Sequence, residues 1–220
     1  MYQSLRFALL LDRLKDLHYT SNVGQIVRVI SDETREFIKR CDETIDNVAR
    51  NEEQSIYDEA TEYIEDLLGI SFVACQSYIS YVVSDICRLH DACNSLASPV
   101  ILTTTSGRKI DILRKCSPPV KGGYSEVQII DAFANYYKHK DEWDWDWDCP
   151  PARSQLTVDV IRSVGASRGC TGNMRTGAEA LGNGEYCDTR AMMKGLESWG
   201  QELFKAYSEE LRVKGLLRDE

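Results

Sequence analysis

Apolar residues recur every three to four positions along most of this chain, with charges between them. That spacing predicts amphipathic helices. A first helix is expected over residues 3–18, with an apolar stripe through Leu5, Leu9 (or Ala8), Leu10, Leu14 and Leu17. A second is expected over 24–50, where Ile26, Ile30, Phe37, Cys41, Ile45 and Val48 share a face. Residues 53–90 read as helical almost throughout. Ile56, Ala60, Tyr63, Ile64, Leu67 and Leu68 form one stripe, and Phe72, Ile79, Val82, Val83, Ile86 and Leu89 a more apolar one. Gly69 stands between the stripes, where a bend or break is expected. The second stripe is apolar enough for the central helix of a bundle.

Residues 94–124 break the period. Ser98-Pro99, Pro118-Pro119 and Gly122-Gly123 punctuate them. Val100–Thr105 and Ile110–Leu113 read either as a small β-hairpin or as an irregular excursion. Ser125 is a good N-cap for the next helix, whose buried face is Val127, Ile130, Phe133, Ala134 and Tyr137. Shorter helices are expected at 157–164 and 171–181 around a glycine-rich stretch, and a last one from about 189 to 214. The fold class is therefore mainly α. One domain over 1–220 is expected, a multi-helix bundle with an insertion around 94–124 and a Trp/Gly-rich region around 143–188.

Composition narrows the options. The chain has 220 residues, is 43% hydrophobic and carries a net charge of −9. No apolar run looks long enough to span a bilayer, and the N-terminus offers no signal-peptide core, so a cytoplasmic protein without membrane contact is expected. The eight cysteines form no CxxC pair and have no zinc-site spacing with histidine, so buried thiols are expected and neither metal nor cofactor is called for. The net charge opposes a generic nucleic-acid coat. Residues 152–178 differ, with Arg153, Arg162, Arg168 and Arg175 against Asp159 alone.

Candidate chemistry concentrates at 135–148, Asn-Tyr-Tyr-Lys-His-Lys-Asp-Glu-Trp-Asp-Trp-Asp-Trp-Asp, which holds one of only three histidines. His139 can move protons near neutral pH, and Asp141 or Glu142 can orient its ring. Asn135 lies one helical turn earlier. The plain alternative is a histidine that complements the end of a helix dipole.

The segment from Ala134 to Glu142, late in a helical bundle, resembles the signature of HEPN domains. These are all-α proteins of bacterial toxin and abortive-infection systems, and many are dimeric, metal-independent ribonucleases. Their motif is an Arg, a polar residue such as Asn, then a His, often with an acid close behind. The resemblance implies a homodimer acting on RNA. His139 would be general acid and base, Asn135 would hold the scissile phosphate, Asp141 would follow the His, and Lys138 would counter charge. The chain departs from the motif at the arginine, which falls on Ala134, with Ala132 and Phe133 at the other spacings. An active member needs that arginine from elsewhere, with Arg88, Arg153 and Arg175 as donors. The spacing Arg13…His18 also fits the motif, at a frequency chance accounts for.

Trp143, Trp145 and Trp147 alternate with acids, so in an extended segment the rings share one side. They serve either as a stacking platform for RNA, with Trp143 and Trp145 beside Arg153, Arg168 and Arg175, or as a strap that packs on the bundle or holds a protein partner. The stretch from Gly165 to Gly177 is no P-loop, but its amides and arginines suit an anion at a helix start near Thr176. Helices at 157–164 and 171–181 around a glycine turn also resemble a helix-turn-helix. Two functions from different classes follow: a HEPN-like endoribonuclease, or a non-catalytic module that binds a protein partner.

Overall fold

A computed structural model describes residues 2–15, 17–46, 50–182 and 187–217, with the backbone alone at 2–4, 17–18 and 50–52. It is 72% helical, with eight helices and a two-stranded antiparallel hairpin among the described residues. The expected mainly-α bundle with a small β insertion is the fold that forms.

Helix α1 (Tyr2–Arg13) ends earlier than the apolar period suggested. The amides of Leu14 and Lys15 turn back to the carbonyls of Leu11 and Asp12, which tightens the last turn and closes the helix. Its buried face is Phe7, Leu11 and Leu14, whereas Leu5 and Leu9 are each 58% exposed. Helix α2 (Leu17–Ile45) likewise buries Val23, Val27 and Ile30 and leaves Ile26 half exposed. The side chains of Leu17 and Val48 lie outside the described residues.

Helix α3 (Arg50–Asn94) is the axis of the bundle and packs against α1, α2 and three later helices. It runs unbroken through Gly69, against the expected bend. The glycine serves a close approach: a Cβ there would collide with the ring of Tyr137. One 18-residue stretch of α3 has a mean hydropathy of 1.5, so by length and composition this helix is apolar enough to cross a membrane, contrary to expectation. Of that stretch 56% is buried inside the bundle, as a helix packed on several sides requires.

No hairpin forms at 100–113. Residues 99–108 are irregular, and α4 (Lys109–Arg114) follows. The hairpin joins β1 (Pro119–Lys121) to β2 (Tyr124–Ser125). Gly122 (φ 59°) and Gly123 (φ 82°) supply the two left-handed residues that a tight hairpin turn needs. Ser125 then caps α5 (Glu126–His139) through a capping box with Gln128. Helices α6 (Gln155–Ser163), α7 (Asn173–Leu181) and α8 (Arg190–Val213) complete the chain. Nearly all the buried apolar residues form one continuous cluster, in which Phe72 of α3 stacks on Phe133 of α5 at 5.3 Å.

Candidate functional site

The end of α5 places the 135–148 segment on the surface beside the middle of α3. The residues expected to act together separate into two groups. Asn135 and Lys138 turn toward α3, where both meet Gln76. The Gln76 amide donates to Asn135 Oδ1 (2.9 Å) and to Asp131 Oδ1 (2.8 Å), and its carbonyl accepts from Lys138 Nζ (2.6 Å). Lys109 of α4 completes the network at Asp131 (2.7 Å). Gln76 and Asp131 are buried, so each polar atom tied off here avoids a desolvation cost.

His139 turns the other way. It is exposed, and its Nδ1 lies 3.3 Å from Glu142 Oε1, across a 3₁₀ turn at Lys140–Glu142. Glu142, not Asp141, therefore orients the ring. Among the described residues no arginine pairs with it. Ala134, at the motif's arginine position, is fully buried, as is Phe133, and Ala132 is buried too. Arg88 is bound to Asp85 (2.8 Å), and so is Arg13 (3.2 Å). The side chain of His18 lies outside the described residues. Arg153 is exposed at the approach to α6, and Arg175 sits half-buried on α7.

The tryptophans cluster through a turned strap, not a strand. Trp143 lies 4.8 Å from Trp145 and 6.0 Å from Trp147, and the buried ring of Trp147 meets Tyr136 edge-on at 5.7 Å. Asp144, Asp146 and Asp148 are exposed. Arg162 pins the strap through the Trp147 carbonyl and the Asp148 carboxylate (3.1 and 2.7 Å). Arg168, expected to hold a substrate, instead donates to the Asp144 carbonyl (2.9 Å).

Between the strap, α3 and the loop before α7 lies a cleft of about 540 Å³. Tyr136, Trp143 and Trp147 form its aromatic wall. Glu62, Glu65, Asp66 and Asp141 line it as acids, against Lys140 and Arg168 as cations. Lys140 is partly committed, 3.9 Å from Asp66 and 4.9 Å over the Tyr137 ring. Burial, with Asp66 alongside, pushes the Tyr137 hydroxyl up to about 12, and burial raises Tyr136 too, so both phenols stay neutral.

The anion site expected at the glycine-rich stretch is filled from within. Glu65 of α3 accepts from the amides of Met174 (2.8 Å) and Arg175 (2.9 Å) in the first turn of α7. The buried face of α7, including Met174, Gly177 and Leu181, packs on the bundle. Glu65→Ala is expected to cost about 1.5 kcal/mol of stability, the scale of a lost N-cap, with Glu65→Gln in between. Urea unfolding of both variants checks this, and a loss within error of zero for Glu65→Ala would show that the cap carries nothing.

Gln76, Glu65 and Tyr136 were not among the candidates expected from the sequence. Gln76 had a signal, a lone amide amid the most apolar part of α3. Glu65 had none, because its partners lie over a hundred residues away. All eight cysteines are unpaired, and burial lifts Cys75 to about 12 and raises Cys93. Among the described residues no three His, Cys, Asp or Glu side chains converge as a metal site. Comparison with known proteins found no matching family model, no matching curated sequence and no matching solved structure.

Proposed function

We propose that the protein is a non-catalytic interaction module, a degenerate HEPN-like bundle, whose aromatic cleft takes a basic side chain of a protein partner. The observation that supports this most directly is the make-up of the cleft. Three rings face a space rimmed by more carboxylates than cations, and a guanidinium or ammonium gains from both ring faces and acids. The net charge of −9 draws a basic partner from a distance. A phosphate backbone would meet Asp141, Glu62 and Asp66 first. The arginine that a HEPN nuclease needs is replaced by buried Ala134, a core position that cannot face substrate.

One observation favours the ribonuclease. His139 is exposed and paired with Glu142, so the carboxylate can hold the Nδ1 proton and leave Nε2 to act as a base on a ribose hydroxyl. In that reading Lys138 and Asn135 would have to leave Gln76 to reach a phosphate.

One pair of measurements separates the two readings. Tryptophan fluorescence is titrated with a hexa-arginine peptide at about 50 mM salt, where surface charge is weakly screened. Total RNA is incubated with the protein in EDTA. The binding module predicts saturable peptide binding, weakened at least tenfold by Trp143→Ala, no response to hexaglutamate, and intact RNA. RNA cut by the wild type and spared by His139→Ala would replace the module with the nuclease. Absence of peptide binding would sink the cationic-partner reading by itself.

A further inference from the structure

A second cleft, of about 500 Å³, lies between the first turns of α2 and the N-terminal half of α8, and it shares no residue with the aromatic one. Its charge is opposite to that of the chain. Lys15, Arg28, Arg190 and Lys194 line it, against Glu197 alone. Two of these cations are already engaged. Arg190 is held by Asp188 through two hydrogen bonds (2.7 and 2.9 Å), and Lys15 Nζ sits 3.8 Å from the centre of the Phe204 ring. Arg28 and Lys194 form no hydrogen bond or ion pair with any described residue, and both are exposed. Two unneutralised cations facing one cavity repel each other, and an anion between them relieves that repulsion.

The rest of the lining fits an oxyanion. Thr20, Ser21, Gln25 and Gln201 bring neutral polar groups to the rim. Gly24 leaves the α2 wall open, since a Cβ built there has no atom within 4 Å. We propose that this cleft binds a small, multiply charged phosphate compound, gripped by Arg28 and Lys194. Guanidinium matches phosphate oxygens through paired donors, and the ammonium adds a mobile point charge. A small compound is favoured over a nucleic-acid strand because the charges beyond the cleft are paired among themselves, Asp32 with Arg35, Glu33 with Arg40 and Glu202 with Lys205, so a long phosphate backbone leaving the cleft would meet cations that carboxylates already neutralise.

The test is calorimetric titration of the full chain with sodium tripolyphosphate at about 50 mM salt. One site in the micromolar range is expected, weakened at least tenfold by Arg28→Gln and by Lys194→Gln and unchanged by Lys121→Gln, an exposed cation on β1. Gly24→Glu, whose side chain enters open space, is expected to abolish binding while the helical circular dichroism and melting temperature hold. The proposal is overturned if tripolyphosphate does not bind, or if Arg28→Gln and Lys194→Gln, both folded, bind as the wild type does. It is equally overturned if a single-stranded RNA oligonucleotide binds more tightly than tripolyphosphate and loses that binding in the same two variants.

Discussion

Trp147→Ala is expected to lower stability by about 3 kcal/mol, on the scale of buried aromatic truncations, and to abolish hexa-arginine binding. Trp147 is only 6% exposed and is the one strap tryptophan sunk into the core. Its ring meets Tyr136 at 5.7 Å and Trp143 at 6.0 Å, so truncation opens a void beneath both and removes the surface on which Trp143 rests. The carbonyl bond from Arg162 remains, but it anchors a strap with no ring to bury. Trp145→Ala provides the contrast. Its half-buried ring touches Trp143 and does not line the cleft, so well under half of the stability loss and little loss of binding are expected. Urea unfolding and peptide titration of both variants check this. Equal losses would show that the three rings act as one surface layer rather than as a buried anchor with two dependants.

The second large effect lies at the other end of the molecule. Glu210 of α8 clamps the irregular 99–108 segment, accepting from the Thr103 amide and hydroxyl and from the Thr104 amide. Burial raises the carboxyl, but the hydrogen bonds from Thr104 and Thr103 outweigh it and hold Glu210 at about 2, below the ordinary 4.5. A group depressed in the folded state stabilises the fold above its ordinary value. That contribution is lost as pH falls from about 4.5 through about 2. Each tenfold change in proton affinity corresponds to about 1.4 kcal/mol, and solvent on one side of the carboxylate reduces the total to about 2 kcal/mol. Glu210→Ala is expected to cost about 3 kcal/mol at pH 7, since three charge-assisted bonds go at once. Glu210→Gln is expected to remove most of the wild type's extra acid sensitivity as pH falls from about 4.5 to about 2. Parallel pH profiles for wild type and Glu210→Gln would mean that the clamp does not carry the acid response. The segment so held lies over His90 and Tyr207, whose side chains bond each other at 3.1 Å, while Thr105 bonds the Tyr207 hydroxyl at 2.7 Å. Burial lowers His90 and raises Tyr207, so both stay neutral at pH 7.

Local sequence determined the helices and the cap of α5. Helical period and a Ser125–Gln128 capping box are both set within a few residues, where backbone hydrogen bonding and rotamer preference act. The sequence also singled out 135–148, part of which lines the aromatic cleft. Which face of each helix is buried was less legible. The apolar residues of α1 and α2 cover more than one face, and only packing against α3 decided that Phe7 and Val27 go inward while Leu9 and Ile26 stay out. The role of Gly69 was invisible, since the ring it accommodates belongs to Tyr137, 68 positions on. The site was divided by tertiary structure in the same way. Asn135 and His139 are one turn apart in sequence, yet Gln76 claims the first and Glu142 the second. Glu65 fills the helix start that the glycine-rich stretch would have offered to a ligand. Short-range periodicity sets elements, because each turn of helix is stabilised by its own neighbours. The partners of a buried amide or carboxylate depend on which surfaces meet, and that is decided only when the whole core closes.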